Sequence, residues 1–426
     1  LDVELDEFEL TNIARKREPK AAARRDDFAR DVLAELARWS FPGTIPPELS
    51  LRITGSVQRP ASIRTSFSIA AEELTRRDYT MENLLLTGEF DNRTLTIDEL
   101  TFSDGSGNLQ LRAHYDLQDK TGAYNGSSSI KIADLLRKAL DNHTLDEFIS
   151  AHAPVIEARG EFGVSQDEGL QLTALGKLEW EYFRFLGIPL DKLNADFSWQ
   201  NGNIFLRNLM AKHEAGELSG QILLQDDMIR YRTRTSLPLS AYRAFIRDDS
   251  GLDHSLARSN FTPRSKVSVE AEGTIQRSNL RVWDATGKVL LENFSYNGVP
   301  MIRAAAAFYM TPLDSIFTNV QVEFSYASYE RNRLAAPLPS GTMHATKVHY
   351  DAETGLTHID SLQGTAWPGP ILRLFAPDAA NHVEKHYGFQ SPPDLSATGV
   401  IDVRSPATRT DMVTQLETSS ATTYQF

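Results

Sequence analysis

The chain contains no cysteine. That excludes disulfides and thiolate metal sites, and it removes redox chemistry as a guide to compartment. No apolar run approaches the roughly 20 residues that carry a helix across a bilayer. An excess of cations is missing too. Over 426 residues, 44 Lys and Arg face 57 Asp and Glu, a net charge of −13. Recognition of a phosphate backbone needs the opposite balance, so nucleic acid is excluded as a partner. There is no G-x-S-x-G elbow, no Walker loop and no G-x-G-x-x-G. A signal-peptide pattern is also lacking. The chain starts on Leu1 inside a strand-like alternation (Leu1, Val3, Leu5), so it reads as a segment of a longer protein. At 41% hydrophobic and 24% charged, it can still bury a core.

What is present is strand pattern. From Leu49 onward, short apolar–polar alternations are separated by turn pairs such as Asp104-Gly105, Asn125-Gly126 and Asn201-Gly202. These pairs supply the positive φ that tight hairpins need. Helical spacing is scarce. Phe28, Val32, Leu33, Leu36 and Trp39 form one amphipathic stretch, stopped by Pro42-Gly43 and preceded by a basic run (Arg15 to Arg25) read as a solvated loop. Brief helical patterns follow at 133–140, 145–149, 241–246 and 379–387.

The strands repeat. Thr54-Gly55-Ser56-Val57, Arg159-Gly160-Glu161-Phe162, Glu272-Gly273-Thr274-Ile275 and Thr398-Gly399-Val400-Ile401 share one signature: a polar residue, a glycine and then an apolar alternation. The material beyond the glycines aligns as well. Without a gap, Leu84, Phe90, Asn92, Ile97, Leu100 and Leu109 meet Leu193, Trp199, Asn201, Leu206, Leu209 and Leu218. In a third copy, Glu181, Phe183, Phe185, Gly187 and Pro189 meet Glu292, Phe294, Tyr296, Gly298 and Pro300. A late echo sets Ile97-Asp98-Glu99-Leu100 beside Ile359-Asp360-Ser361-Leu362. Arrays of this kind work through long surfaces.

Strand side chains alternate, so residues two apart share a face. One face collects Leu84, Leu86 and Phe90, then Leu193, Ala195, Phe197 and Trp199, then Ala304, Ala306, Phe308 and Met310. The other collects Thr87, Glu89, Asn194, Asp196 and Ser198. This apolar face either packs against helices or a second sheet, or lines an open trough. Too few helical patterns exist to cover it, which favours the trough. The expected fold is mainly β: an elongated, curved antiparallel sheet of repeated meander units forming an open hydrophobic groove, with a few short helices. The eleven residues just named are the candidate groove lining.

The Gly55, Gly160, Gly273 and Gly399 units, the meander from Leu84 to Leu117 and the strand-to-helix junction at Ser129–Leu140 (echoed at Leu237, Leu239, Tyr242 and Phe245) resemble the AsmA/TamB family. That family belongs to the repeating β-groove, or bridge-like, lipid transfer proteins. The resemblance covers most of residues 49–404. It implies phospholipid or another acyl-chain lipid as cargo, an inner-membrane anchor outside this chain, a periplasmic location and envelope proteins at either end. It implies no cofactor and no catalytic residue. The expected division is 1–48 (end of a preceding repeat plus an amphipathic helix), repeats at 49–154, 155–265 and 266–393, and the start of a further repeat at 394–426.

Two other functions fit the pattern: an envelope scaffold or outer-membrane assembly factor with a covered core, and a carbohydrate-active β-repeat enzyme. The enzyme would need two carboxylates across a cleft. Asp226-Asp227 and Asp248-Asp249 are adjacent pairs, which a strand points to opposite faces. His382-Val383-Glu384-Lys385-His386 lacks the zinc-peptidase order. Asp104-Gly105-Ser106-Gly107-Asn108 lacks the closing Glu of a calcium loop and reads as a hairpin turn.

Overall fold

The computed structural model describes residues 38–40, 45–56, 59–139, 148–150, 152–165, 169–185, 188–200, 202–237, 256–324, 341–375, 377–389, 391–402, 410–419 and 422–424. The expected helices over 28–39 and 241–246 lie outside these residues, apart from Trp39 and its neighbours.

The chain enters as β1 (Trp39–Ser40), β2 (Glu48–Ser56), β3 (Arg59–Arg76), β4 (Tyr79–Asp91), β5 (Thr94–Asp104), β6 (Gly107–Asp116) and β7 (Thr121–Ser128). A short helix α1 (Ile132–Asp134) runs into one π-helical turn (Leu135–Ala139). Next come β8 (Phe148–Ser150), β9 (Val155–Ser165), β10 (Gly169–Phe185), β11 (Ile188–Gln200), β12 (Asn203–His213), β13 (Gly216–Gln225) and β14 (Met228–Thr235). They are followed by β15 (Ser259–Gln276), β16 (Trp283–Tyr296), β17 (Val299–Met310), β18 (Asp314–Phe324), β19 (Gly341–Asp351) and β20 (Leu356–Thr365). Helices α2 (Pro368–Phe375) and α3 (Pro377–His386) precede β21 (Tyr387–Phe389), β22 (Asp394–Asp402), β23 (Thr410–Glu417) and β24 (Thr422–Tyr424).

All but β21 and β24, which pair with each other, belong to one 22-stranded antiparallel sheet. Each long strand pairs with the next along the chain, so the sheet is an open meander. β1 and β8 fill ends that longer neighbours leave unpaired: β10 runs past β9, and its Phe183–Phe185 backbone pairs with β8. Phe148 and Ile149, expected in a helix, are therefore strand, because that unpaired edge offers a full set of backbone partners. Helix α2 had no sequence expectation. With two prolines and eight residues it is too short for a periodic signal.

The repeat is visible in the backbone. Strands β4, β5 and β6 begin at the same spacing from β11, β12 and β13 that separates Leu84 from Leu193. The ladder slips between Ile97 and Leu100 in β5, and at the matching Leu206 and Leu209 in β12. The same slip recurs at the late echo, Ile359 and Leu362. The alignment of Phe183 with Phe294 also pairs two left-handed bulge residues, Tyr182 (φ 50°) with Asn293 (φ 55°). It likewise pairs Asn208 (φ 49°) with Asn319 (φ 52°). Bulges bend a strand and raise its twist, so repeating them repeats the curvature.

The signature glycines are places of close backbone approach. A Cβ on Gly55, Gly160, Gly273 or Gly399 would sit 2.4, 1.8, 2.0 or 2.1 Å from a carbonyl oxygen of the paired strand. Elsewhere on this face a glycine lies beneath a neighbour's ring. Phe67 covers Gly88, Phe162 covers Gly122, and Phe197 covers Gly176.

Three buried clusters line one rim of the sheet, at equivalent strand ends. The first holds Tyr79, Met81, Leu84, Phe102, Ile130 and Ala139 under the α1 turn. Arg76 reaches that turn by donating to the Ala139 carbonyl and lies over the Trp39 ring. The second holds Trp180, Phe183, Leu193, Ala195, Leu209 and Ala211. The third holds Phe294, Val299, Met301, Phe324, Met343 and Leu395 under Ile371 of α2.

Candidate functional site

Directly opposed residues on neighbouring strands share a face, so the pairing register reads out what the sheet presents. Starting at the β2 edge, the opposed residues run Leu49, Ile69, Leu86, Leu100, Leu111, Gly126, Ala158 and Gly176. They continue through Phe197, Leu206, Ile222, Tyr231, Gly273, Ala285 and Met310 on β17. No charged residue interrupts the row. Strand makes up 75% of the described residues against 9% helix, so among the described residues helices cover only part of a face this long.

All eleven candidate residues lie on this face. Leu84, Leu193, Ala195 and Phe308 are buried; the first three belong to the rim clusters. Leu86, Phe197, Trp199, Ala304, Ala306 and Met310 are half-buried, and Phe90 is 37% exposed. Sequence reasoning missed the contributions of the intervening strands: Tyr115, Phe162, Tyr231 and Trp283 share the face but fall outside the aligned stretches. Their own alternation was the available signal.

The two rims differ. One carries the buried clusters. The other carries Phe90, Tyr115, Phe162, Trp199 and Trp283 near the hairpin turns, with Tyr115 and Phe162 stacked at 5.6 Å. Tyrosine and tryptophan suit a boundary with one apolar and one wet side.

The opposite face is largely polar, interrupted by Phe205 and Leu223, which oppose each other and are buried. Opposed residues there alternate in sign: Glu157, Lys177, Asp196 and Arg207 on β9 to β12, and Arg234, Glu270 and Lys288 on β14 to β16. Arg232 and Glu272 approach to 2.7 Å, Arg234 and Glu270 to 3.6 Å. Exposed pairs of this kind are worth under about 1 kcal/mol each; their main effect is to set register. A hollow of about 1830 Å³ follows ten strands, from Gln110 on β6 to Lys288 on β16. Its lining combines residues of the apolar row (Leu111, Ala158, Gly176 and Phe197) with charged neighbours such as Glu157, Arg159, Glu270 and Glu272. Leu178, Ile222 and Val289, two positions away on the apolar face, do not line it.

Two of the chemical candidates, Asp104 and Asp227, hold turns. The Asp104 carboxylate accepts from Ser106 N (2.8 Å), Gly107 N (3.0 Å) and the Tyr79 hydroxyl (2.7 Å), closing the β5–β6 turn. Burial pushes its pKa up, but the hydrogen bonds from Ser106, Tyr79 and Gly107 outweigh that and hold it below the usual value. Burial, reinforced by Asp104, raises the Tyr79 phenol. Asp227 accepts from the Ser278 hydroxyl at 2.6 Å and from Gln276 at 2.8 Å, which lowers its pKa and ties down a turn. Asp248 and Asp249 lie outside the described residues. His382 and His386 have ring centroids 4.7 Å apart, but Glu384 turns away to Arg373 of α2 at 3.2 Å. Among the described residues, no three His, Asp or Glu side chains converge in a metal-binding group, and no helix is long and apolar enough to cross a membrane.

No family model, no curated protein and no solved structure matches this chain.

Proposed function

We propose that this chain is the groove-forming part of a cell-envelope lipid transfer protein, which shields phospholipid acyl chains along its apolar face while headgroups stay in water. The observation that carries this reading is the unbroken uncharged row from Leu49 on β2 to Met310 on β17. Moving a two-chain lipid into water costs about 0.8 kcal/mol per methylene, on the order of 20 kcal/mol in all. Continuous apolar contact removes most of that cost. Similar contact on successive strands lets a lipid slide without a tight site. A periplasmic place and an inner-membrane anchor outside this chain belong to the same proposal.

The test is uptake of a fluorescent phospholipid by delipidated protein, with mass spectrometry of co-purified lipid. Phe197→Asp places a carboxylate on the apolar face and should cut uptake at least tenfold. Ser198→Asp, one residue along on the polar face, should leave it unchanged. Lipid-free protein in both assays, or equal uptake by the two variants, removes the proposal. An envelope scaffold is the second reading; it is favoured by the covered apolar core from β19 to β22, where Met343, Ala345, Ile359 and Leu395 are buried.

A further inference from the structure

The β2 edge of the sheet is open and apolar. Among the described residues β2 pairs with β3 alone. Leu49, Leu51 and Ile53, on the apolar face, are 69%, 58% and 63% exposed. Their counterparts are not. Leu51, Ile156 and Val269 each stand four residues before a signature glycine. Ile156 and Val269 are half-buried, and their strands have a neighbour on both sides: β7 and β10 flank β9, β14 and β16 flank β15. The rest of the arrangement matches, since β1 fills the end of β3 as β8 fills the end of β10. What β2 lacks is the equivalent of β7 and β14. A long apolar edge with unpaired N–H and C=O groups is a template for one more strand.

We infer that residues 1–7 of this chain supply that strand, pairing antiparallel with β2 on the edge away from β3. They lie outside the described residues; their sequence and the repeat assign them. β7 and β14 both run directly into one junction. After β7 come Ile130, Ile132 and Leu135; after β14 come Leu237, Leu239 and Tyr242. Phe8, Leu10 and Ile13 repeat that spacing, and Arg15-Lys16 repeats Arg137-Lys138. Ile130 and Leu237 are 0% and 1% exposed, so the junction is an anchored point of the repeat. Residues 1–7 therefore hold the sequence place of β7 and β14. Their alternation suits β2: Leu1, Val3 and Leu5 extend the row of Leu49, Leu51 and Ile53, and Asp2, Glu4 and Asp6 take the polar side. The apolar match sets Leu5 opposite Leu51 and Val3 opposite Ile53. Counting from the junction alone would set Asp6 opposite Leu51, as Ser128 stands opposite Ile156 and Thr235 opposite Val269. A one-residue slip at Asp6-Glu7 reconciles the two. Leu5-Asp6-Glu7-Phe8 repeats Ile97-Asp98-Glu99-Leu100, where the ladder does slip. The added strand does not depend on the lipid-groove reading.

The chain has no cysteine, so a pair of substitutions reports a single contact. In the intact chain, Leu5→Cys is combined with Leu51→Cys on β2, or with Leu416→Cys, 41% exposed on β23 at the far end of the sheet. Mild oxidation of dilute protein should close the first pair within one molecule at least tenfold faster than the second. Equal rates overturn the assignment. So do disulfides that join two molecules, which would give the edge to a second copy. Amide hydrogen exchange adds a readout free of substitutions. The β2 amides of the intact chain should exchange at least tenfold more slowly than those of a chain beginning at Phe8, and equal exchange overturns the assignment. The β9 amides keep β7 in both chains and should be unchanged. An equal rise at β9 would mean that the truncation loosens the whole sheet, and would reject a strand specific to β2.

Discussion

Gly160→Ala tests the curvature of the sheet at one atom. The added Cβ would lie 1.8 Å from the Thr173 carbonyl oxygen, 2.8 Å from its carbon and 2.9 Å from the Tyr124 hydroxyl. Two of these neighbours are backbone, so no rotamer change relieves the overlap, and β9 must move away from β10. Overpacking of this kind costs about 1–3 kcal/mol. Tyr124 also donates to the Thr173 carbonyl at 2.9 Å, and losing that bond adds about 1 kcal/mol. The expected destabilisation is therefore about 2–4 kcal/mol, against under about 0.5 kcal/mol for Gly105→Ala, where the new atom meets open space. Gly298→Ala separates strain from crowding: it has room, but its φ of +74° costs a side chain about 1 kcal/mol. An array of repeats opens locally, so a global melting temperature averages over the effect. Amide hydrogen exchange resolved on β9 and β10 is the right assay. At about 1.4 kcal/mol per decade, exchange there should accelerate roughly 30- to 700-fold in Gly160→Ala. If its β9 amides exchange no faster than those of Gly105→Ala, close backbone approach is not why glycine stands in the repeat.

Met343→Ala should cost about 2–5 kcal/mol in urea unfolding, because the side chain is 1% exposed among Phe324, Ile371 and Leu395; a change under 1 kcal/mol would mean that this rim cluster is not a packed core. The Asp104 carboxylate is held below its ordinary value in the fold, so the stability it adds is present above the unfolded carboxylate range near pH 4 and is lost as pH falls through the lower folded value. Thermal unfolding between pH 7 and 3 should show this acid-dependent loss reduced in Asp104→Asn, and identical pH profiles would refute it. Asn208→Ala should destabilise by about 1 kcal/mol through its φ of 49° and the lost bond to Asp196, which is 2.7 Å long. Asn208→Gly should recover the backbone part only, so equal losses in the two variants would show that φ is not the cause.

Much of the architecture was legible before any coordinate. Alternation named the strands, and the gapless match of Leu84–Leu109 to Leu193–Leu218 marked a repeated meander. Even the late echo at Ile359–Leu362 marked a real feature, since it carries the same ladder slip as Ile97–Leu100. Helices fared less well. Ile132–Ala139 is helical close to where expected, but Phe148–Ser150 became strand because β10 extended past its neighbour. The preference of a short segment yields to an unsatisfied backbone edge.

The face itself follows from the sequence, because a period of two assigns each side chain once a strand is recognised. Register, accessibility and curvature do not. Which residue stands opposite Phe197 depends on bulges at Asn208 and its counterparts, and a one-residue slip would move every apolar side chain to the other side. That Phe197 and Tyr231 are half-buried while Met343 is buried depends on how neighbouring strands pack and where α2 lands. These are properties of pairs and sums, and only the folded arrangement brings the pairs together.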